Sequence, residues 1–556
     1  MSGTAPQDEL LFLPLGGAGE IGMNLNLYGY GPAGNETWLM VDLGVTFSDG
    51  ALPGVDVILP DPTFIEERRE RLAGLVLTHA HEDHIGAVQY LWPRLKCPIY
   101  ATPFTLSVLR RKLAETDFLD DMEIIEVPLG GQFEIGPFRM ELITLTHSIP
   151  EPNAIAITTP AGTVMHTGDW KFDPDPVIGP AADEAALKRF GDAGVLAIVC
   201  DSTNVFTPGQ SGSEADIFDN LSALIGECTG KVAVACFATN VARLETIARA
   251  AGANGRDVVL AGRSLLRITD AARENGYLQD VPAFLAEEDA GYLPDDKSLI
   301  ICTGSQGEPR AALSRIAAGD HRRITLGPGD TVIFSSRMIP GNEPAINRLQ
   351  DQLVRGGVRV VTAKDRMIHV SGHPARDELT RMYQHVRPKI AVPVHGELRH
   401  LVAHAELARQ CQVPEAFVIE NGMALKLGPG EPGIVDTVPS GRLAVNGNRV
   451  VDTDGEAVRG RIRAMWNGFA VVTIAVGAGG LNGEPEISTS GLFDEDDDPA
   501  LDGVRLAVRD ALAKLSPKAL RDDELVVETA RIAARRTFRL AVDKRPVTRV
   551  HLVRLD

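Results

Sequence analysis

The segment at residues 78–86 reads Thr-His-Ala-His-Glu-Asp-His-Ile-Gly, and the prediction of the fold starts from it. It follows an apolar run, Leu72 to Leu77, that predicts a buried strand, and it leads into a helical pattern from Ile85 to Leu95. Side chains two positions apart in an extended backbone point the same way, so His79 and His81 would face one point together. A strand, a histidine-rich turn and a helix are together typical of a metal site.

Asp83 and His84 stand at the turn into that helix, so the segment offers four potential ligands within six residues. Imidazole and carboxylate groups suit zinc, and also manganese or iron. One ion does not need so many ligands from one loop, which favours two adjacent ions about 3.5–4 Å apart. The alternative, a solvated polar loop, does not account for this spacing of histidines.

Composition limits the class of protein. A chain of 556 residues is too long for one core, so we expect two to four domains of a soluble globular protein. The net charge of −20 excludes a uniformly basic nucleic-acid binder, but it leaves a local basic channel or binding assisted by bound metal ions. The six cysteines form no C-x-x-C pair, the first ten residues lack a basic leader pattern, and no apolar run reaches about 18 residues. We therefore expect a cytoplasmic protein without a membrane segment.

Residues 17–22 form a G-x-G-x-x-G sequence, and Asp42 lies 20 residues beyond Gly22. A dinucleotide site requires a helix to begin at these glycines. The alternation from Asn24 to Tyr28 predicts a second strand instead. We interpret the segment as strand–turn–strand, without a nicotinamide site.

Several polar residues share a position at the end of an apolar run or within a histidine motif. They are Asp42, His147, Asp169, Asp201, His373 and His395. The carboxyl ends of strands are where an α/β sheet places its functional side chains. For His147 and His373, a structural role is the alternative, and His166, which lies within a strand pattern, receives no metal role.

The chain divides by pattern into four segments. Between about residues 208 and 365, strand-like runs alternate with helical ones, which predicts a parallel sheet covered on both faces. This block interrupts a first domain, which comprises residues 1–207 and resumes over residues 366–440. The Gly- and Pro-rich end of the resumed part, from residue 428, is interpreted as a linker. A smaller unit follows at residues 448–556, with an acidic run at 493–498 that precedes two amphipathic helices.

The order of these motifs resembles the β-CASP branch of the metallo-β-lactamase superfamily, and within it the bacterial ribonuclease J family. The stretches that carry the resemblance are GGAGEIGMN at 16–24, TGSQGEP at 303–309, IPGNE at 339–343 and HVSGH at 369–373. Departures at Cys200, Thr239 and Pro374 remove no potential ligand. The resemblance runs nearly end to end. It implies an α/β fold in which an αββα sandwich is interrupted by a parallel β-CASP domain and followed by a small α+β domain.

The resemblance also implies a ligand set for two divalent ions, with zinc expected and manganese or magnesium as alternatives. The implied ligands are His79, His81 and His147 for one ion, Asp83, His84 and His395 for the other, and Asp169 between them. Asp42 would support the metal loop through hydrogen bonds, with a simple turn aspartate as the alternative. The implied catalytic residues are Asp83, His373 and Asp201. His373, oriented by Asp201, would serve the leaving 3′ oxygen.

The implied activity is 5′-to-3′ exonuclease and endonuclease cleavage of RNA that leaves 5′-phosphates, in RNA decay and in rRNA and mRNA maturation. The candidates for a 5′-monophosphate pocket are Thr239, Asn240, Ser371, Gly372 and His373. The inserted domain would clamp single-stranded RNA with weak sequence preference. The C-terminal unit would form homodimers or homotetramers, and an RNA-degradation complex is a further possible partner.

Three alternatives remain from the residues alone. Another β-CASP nuclease, for RNA 3′-end processing or DNA repair, would share most of these motifs. A small-molecule metallohydrolase such as a lactonase or thioesterase needs neither the inserted domain nor the His373 motif. A non-catalytic scaffold would be expected to have lost ligands, and none is missing.

Overall fold

The computed structural model describes residues 8–48, 50–339, 341–477, 479–493 and 499–555. Its contacts form two compact units, the first ending at Arg442 and the second holding Leu443 onward together with Ser48–Asp56. The predicted acidic run falls, after Phe493, outside the described residues. Within the described chain, no helix has the length and apolar character needed to cross a membrane.

Two sheets face each other in the first unit. In spatial order, the strands of the larger sheet are Gly433–Thr437, Met423–Gly428, Glu9–Gly16, Leu25–Gly31, Thr37–Val41, Leu72–Val76, Ile99–Ala101 and Ile124–Glu126. Those of the second sheet are Gln132–Ile135, Phe138–Thr144, Asn153–Thr159, Gly162–His166, Ala197–Asp201, Ile390–Val394 and Glu415–Ala416. The last four of these run parallel, so their carboxyl ends lie at one edge.

Alternation of apolar side chains gives each strand of the second sheet two packing faces. Along Phe138–Thr144, Met140 and Leu142 point into the core between the sheets, whereas Ile143 packs on the outer face. Leu187 and Leu379, from two helices, share that outer cluster. Helices therefore cover the outer face of the second sheet, as the predicted sandwich requires.

A third sheet of five parallel strands forms the inserted block. In spatial order, its strands are Asp257–Ala261, Ser298–Cys302, Val232–Ala235, Thr331–Phe334 and Arg359–Val361. Its core joins strand residues such as Ile300 and Val332 to helix residues such as Leu313 and Ile346. The predicted alternation of strands and helices is confirmed.

The helices complete these layers. Their bounds are Thr63–Glu66, Glu82–Ile85, Val88–Leu95, Pro103–Leu113, Glu184–Ala193, Ile217–Gly226, Val241–Ala253, Arg263–Glu274, Ala312–Ala317, Glu343–Arg355, Arg376–Val386, Leu398–Gln410, Glu456–Asn467, Pro499–Leu512 and Asp523–Val542. Further short strands are Ala18–Gly19, Thr46–Phe47, Val57–Pro60, Gly396–Glu397, Arg442–Asn446 and Arg449–Asp452.

The second unit contains a small sheet under two long helices. Its strands are Phe469–Gly477, Gly480–Leu481, Glu486–Ser490 and Val547–Arg554. The first of these is central and pairs with the other three. Val472 of the sheet packs with Val504 and Phe538 of the helices in a separate apolar core.

The linker interpretation of residues 428–439 is wrong. Gly433–Thr437 is an edge strand that pairs with Met423–Gly428. Hydrogen bonding to a neighbouring strand outweighs weak local strand propensity, which depends strongly on context. The strand–turn–strand interpretation of residues 17–28 is confirmed, because Leu25–Gly31 is a strand.

The helix predicted at residues 85–95 begins at Val88, and a separate short helix, Glu82–Ile85, precedes it. The amide of Ala87 donates to Leu43 O at 3.0 Å, and Asp83 O instead accepts from Asn24 N at 3.0 Å. The continuous i to i−4 pattern is therefore interrupted by bonds to a neighbouring loop, which attach the metal-loop segment to the larger sheet.

Candidate active site

Strand ends from both sheets converge at one edge of the sandwich. Asp42 and the segment at residues 78–84 follow two parallel strands of the larger sheet. Asp169 and His395 follow strands of the second sheet, and Asp201 is the last residue of the strand between them. The topology brings together residues that are hundreds of positions apart.

Three sets of side chains place ligand-type atoms within 4.8 Å of one another. The sets are His79, His81, His147 and Asp169; Asp83, His84, Asp169 and His395; and Asp169, Asp201, His373 and His395. The first two coincide with the two ligand groups that the sequence predicts. Asp169 belongs to all three sets.

The first set is a group of converging imidazole nitrogens. His81 Nδ1 lies 3.0 Å from Nε2 of His79 and 3.1 Å from Nε2 of His147. Burial lowers the pKa of His81 to about 4, and it lowers the pKa of His79 and that of His147 well below the ordinary value. The rings are therefore neutral at pH 7, which is the form that binds a metal ion.

The second set is more strongly ion-paired. His84 Nε2 lies 3.2 Å from Asp169 Oδ2, and His395 Nε2 lies 3.2 Å from Asp83 Oδ2. Burial opposes the charged forms. At His84 the effect of burial is outweighed by the charges of Asp169 and Asp42, which raise the pKa of the ring. At Asp83 it is outweighed by His84 and His395, which lower the pKa of the carboxyl group.

The donor set fits divalent cations. Asp169 Oδ1 is buried, and among the described residues it has no hydrogen-bond partner. A buried carboxylate oxygen without a partner is costly unless a positive charge lies beside it. Imidazole nitrogens and carboxylate oxygens are the ligands that zinc and manganese take in proteins.

Hydrogen bonds from outside the cluster orient its rings. Asp42 Oδ2 lies 2.7 Å from His84 Nδ1, and Asp42 Oδ1 accepts from Thr78 N at 2.8 Å. His147 Nδ1 lies 2.6 Å from Gly372 O, so Nδ1 carries the proton. In the rings of His84 and His147, Nε2 therefore faces the cluster. Hydrogen bonds to the other ring nitrogen commonly orient metal-binding histidines in this way.

His373 forms a pair with a buried carboxylate. Its Nδ1 lies 2.8 Å from Asp201 Oδ2 and 3.9 Å from Asp169 Oδ2. The His373 side chain is 23% exposed and that of Asp201 is 0% exposed. Burial opposes ionisation of the ring, but Asp201 and Asp169 raise the pKa of His373. The arrangement holds an imidazole that can donate a proton at the open side of the cluster.

Two residues that the sequence analysis gave no role join this network. Asn204 Nδ2 donates to Ser371 Oγ at 2.6 Å and to His373 O at 3.0 Å. Thr203 Oγ1 lies 2.8 Å from His395 Nδ1. Thr203 and Asn204 belong to the polar segment that follows the buried strand Ala197–Asp201. Their position in that segment was the only indication in the sequence that they could have a role.

The predicted phosphate-binding residues fall into two groups, 371–373 and 239–240. The first lies beside the cluster, where Gly372 O accepts from a histidine of the first set. The second begins a helix of the inserted domain, where Asn240 Oδ1 accepts from Arg243 N at 2.9 Å. No hydrogen bond within the described ranges joins the two groups.

Four family models match successive parts of the chain. They are the Metallo-beta-lactamase superfamily at residues 29–218, the Ribonuclease J beta-CASP domain at 229–353, the Zn-dependent metallo-hydrolase RNA specificity domain at 357–416, and the Ribonuclease J C-terminal domain at 456–555. The four models follow one another along the chain in the order of the predicted domains, so the predicted fold class is confirmed.

Curated relatives match over most of the chain. The ribonuclease J of Sinorhizobium meliloti is 44% identical over 555 residues, which cover 99% of this chain and 98% of the relative. The ribonuclease J of Corynebacterium glutamicum is 41% identical and covers 88% of this chain and 68% of its own. That of Thermus thermophilus is 36% identical and covers 85% of this chain and 83% of its own.

A solved structure supports the same fold. It is a protein of unknown function from Enterococcus faecalis, which matches 75% of this chain and 100% of its own with a TM-score of 0.51 and 16% identity. The identity to curated relatives over nearly the whole length confirms the family resemblance and disfavours the small-molecule hydrolase and scaffold alternatives. The chain belongs to the ribonuclease J family of metal-dependent ribonucleases.

Proposed function

We propose that the chain degrades RNA from its 5′ end and also cleaves it internally, leaving 5′-phosphates, in RNA decay and in rRNA and mRNA maturation. The observation that carries this proposal is the His373–Asp201 pair, with its 2.8 Å contact, beside the ligand cluster. A metal centre that hydrolyses small molecules has no need of this pair or of an inserted domain.

The cluster suits two divalent ions, and zinc is the metal that we propose. The first set of histidines would hold one ion, and Asp83, His84 and His395 would hold the other. Asp169 would lie between the two. When bound, such ions supply Lewis acidity towards a phosphodiester and lower the pKa of a water molecule towards neutrality.

His373 would provide the proton for the leaving 3′ oxygen. Its Nδ1 is held by Asp201, and among the described residues its Nε2 makes no hydrogen bond. A fixed imidazole can therefore present Nε2 to the substrate and transfer a proton near neutral pH. Asp201 would position the ring and would not itself exchange a proton.

A 5′-monophosphate would be held by donors next to His373. Ser371 Oγ accepts from Asn204 Nδ2 at 2.6 Å and from His373 N at 3.1 Å, so its own hydrogen remains for a phosphate oxygen. Gly372 lies between Ser371 and His373 in the chain. A Cβ on Gly372 would stand 2.7 Å from the His147 ring, so this position has room only for glycine. A triphosphate adds length and charge that so closed a segment would exclude.

The test is a matched pair of RNAs that differ only at the 5′ end. Mononucleotide release should be fast from the monophosphorylated RNA and much slower from the triphosphorylated one, while internal cleavage depends less on the 5′ group. His373→Gln should slow both reactions about 100-fold or more, with unchanged metal content. Equal release from the two RNAs would contradict the phosphate pocket. Full activity of His373→Gln would contradict the role of His373.

The partners that we propose are single-stranded RNA and further copies of the chain, as a homodimer or homotetramer. The cysteines Cys200, Cys236 and Cys302 are buried and free, which fits the cytoplasm as the compartment.

A further inference from the structure

RNA carries one negative charge per phosphate, whereas this chain carries a net charge of −20. Binding of RNA therefore calls for positive charge at the site, from the proposed metal ions and from cationic side chains. The pKa of His369, in the segment that leads to His373, is lowered to about 3, first by burial and then by three positive charges: Arg243, Arg337 and Lys171. These are the cations to consider next to the catalytic segment.

Two of the three are already neutralised inside the protein. Arg243 is 0% exposed, and its Nε donates to Glu214 Oε1 at 2.5 Å. Lys171 is 2% exposed, and its Nζ lies 2.8 Å from Asp173 Oδ2. Both are structural, and neither can reach a substrate.

Arg337 differs from them in exposure and in partners. It is exposed, and its guanidinium donates to the neutral side chain of Asn204, without an ion pair to any carboxylate of the described residues. Its own carbonyl accepts from Gln306 Nε2 at 2.8 Å, which fixes the backbone. Asn204 in turn binds Ser371 and His373 O, so the guanidinium is one side chain away from the catalytic segment. The remaining N–H donors suit a phosphate group.

An exposed aromatic ring lies two residues beyond Asn204. Phe206 is 55% exposed, and its ring centroid is 5.1 Å from that of His400, which is itself 8% exposed. One side of the ring is thus supported by the protein while more than half of the residue remains open. Arg337 is joined to the same segment by its hydrogen bond to Asn204, two residues before Phe206. The pKa of His400 is lowered first by burial and then by the charge of Arg399, with a smaller effect of Arg337.

We infer that Arg337 and Phe206 together bind one nucleotide of single-stranded RNA beside the active site, Arg337 at its phosphate and Phe206 at its base. The inference rests on the proposed ribonuclease function and adds substrate contacts to it. A charged donor without an acidic partner and an open aromatic face are the two features that sequence-tolerant binding of single strands needs. Both are anchored through the segment that carries Asp201, so a bound nucleotide would be fixed relative to the catalytic pair.

The experiment measures KM and kcat of the metal-loaded, full-length protein on a 5′-monophosphorylated single-stranded RNA. Arg337→Gln should raise KM about tenfold and change kcat little. It should also make the slope of log KM against log salt shallower by about 0.7, the value for one lost phosphate contact. Phe206→Leu, which keeps an apolar side chain but removes the ring, should raise KM about 5- to 150-fold.

Matched variants separate binding from general damage. Phe206→Tyr keeps a ring and should stay within about twofold of wild type. Arg323→Gln removes an exposed arginine eight residues before the strand Thr331–Phe334, which Arg337 follows, and should change neither KM nor the salt slope. Tyr292→Ala removes an 87% exposed ring of the inserted domain and should also have no effect.

The outcomes distinguish this inference from the proposed function. If wild type releases no nucleotides, the proposed function fails. If wild type cleaves RNA and both Arg337→Gln and Phe206→Leu keep its KM and salt slope, only the nucleotide-binding inference is overturned. An equal loss in Phe206→Tyr and Phe206→Leu would also overturn it, because stacking would then not be the cause.

Discussion

Single residues at this site depend on backbone conformations that ordinary residues rarely adopt. Asp42 and His395, each directly after a strand, have φ values of 63° and 53°. Left-handed positions are uncommon for residues other than glycine, with Asn, Asp and His adopting them most often, and they concentrate at functional sites. Here the turn directs each side chain towards the cluster instead of along the strand.

The ligand assignment predicts a graded response to substitution. His84→Ala should abolish RNA cleavage and reduce metal content while the fold persists, because the sheet that carries the loop remains intact. Asp42→Asn should weaken metal affinity by about 10- to 100-fold, since Asp42 orients the His84 ring but belongs to none of the ligand sets. Metal analysis and RNA cleavage, with circular dichroism as a check on folding, would measure both effects.

His385→Gln is the matched control for these variants. His385 Nε2 contacts Glu184 Oε2 at 2.6 Å on the outer helices, and the residue belongs to none of the ligand sets. Its metal content and cleavage rate should equal those of wild type. Full cleavage by His84→Ala would show that His84 is not a ligand.

A second residue-scale prediction concerns pH. His404 is 0% exposed, contacts Ser202 Oγ and Tyr383 OH at 2.9 Å each, and has a pKa that burial lowers to about 4. An unfolded chain would bind the proton with a pKa of about 6.5. Protonation therefore favours the unfolded chain, so this contribution is present at pH 7 and is lost as pH falls from about 6.5 towards 4.

The measurement is chemical denaturation of wild type and His404→Gln at two pH values. The stability advantage of wild type over the variant should shrink by about 2 kcal/mol between pH 7 and pH 5. An advantage that is the same at both pH values would mean that His404 accepts a proton in the folded protein as readily as in the unfolded chain.

The sequence analysis named the clustered histidines and aspartates more completely than the residues that support them, for a physical reason. Histidines and aspartates at strand ends carry a local signal, since an apolar run beside them marks the strand. The contact between Asn204 and Ser371 joins residues 167 positions apart, and nothing near either residue indicates the other. The same holds for Arg243 and Glu214, which form a buried ion pair between two segments.

At the scale of elements, the metal loop is hydrogen-bonded to the turn that follows the strand Thr37–Val41 of the larger sheet. The backbone bonds that join the two are Leu43 N to His84 O at 2.7 Å and Val45 N to Glu82 O at 3.0 Å. Gly44 lies between them, and a Cβ there would stand 1.6 Å from Asp83 O. The two segments approach so closely that only glycine is compatible with the position.

Gly44→Ala is therefore expected to lower the free energy of unfolding by about 1–3 kcal/mol and to reduce metal content, because the metal loop must shift. Gly252→Ala is the matched control: it lies in the helix Val241–Ala253, and a Cβ there meets nothing within 4 Å. It should raise stability by about 0.5–1 kcal/mol. Calorimetry and metal analysis would measure both. Normal metal content in Gly44→Ala would contradict the close packing described for this turn.

The sequence predicted secondary structure correctly for strands that are buried along their whole length. It was wrong for an edge strand that forms because it pairs with a neighbouring strand. The parallel strands of the inserted domain are continuous apolar runs, so their alternation with helices was predicted from the sequence. Asn153–Thr159 and Arg376–Val386 were missed, as was the edge strand Gly433–Thr437. That edge strand has little apolar pattern of its own and exists through its bonds to Met423–Gly428.

At the scale of the whole molecule, the second unit has a core of its own and leaves apolar side chains exposed. Leu525 and Ile532 are 43% and 55% exposed on the helix Asp523–Val542. They are seven positions apart, so they lie on the same face of the helix. An exposed apolar face on a self-contained unit is typical of a protein–protein contact.

We therefore expect the second unit to mediate self-association. Removing residues 448–556 should convert dimers or tetramers to smaller species in light scattering. A chain with Leu525→Glu and Ile532→Glu should dissociate in the same way while remaining folded, and substitution of the exposed Tyr292 by Ala in the other unit should not. An unchanged mass after the deletion would indicate that this unit only stabilises the protein.

The order of the clustered residues along the chain bears on when the protein can first act. Asp83 and His395 lie 3.2 Å apart in space but 312 positions apart in the chain. A ribosome that adds roughly 5–20 residues per second needs about 15–60 s to travel that distance. Until His395 has emerged, the nascent chain holds the strand-end acids and histidines of the early segments without their last ligand. If His395 completes the proposed ligand set, catalytic competence is postponed until residue 395 of the 556 has been translated, and the messenger that is still being read would meanwhile be spared.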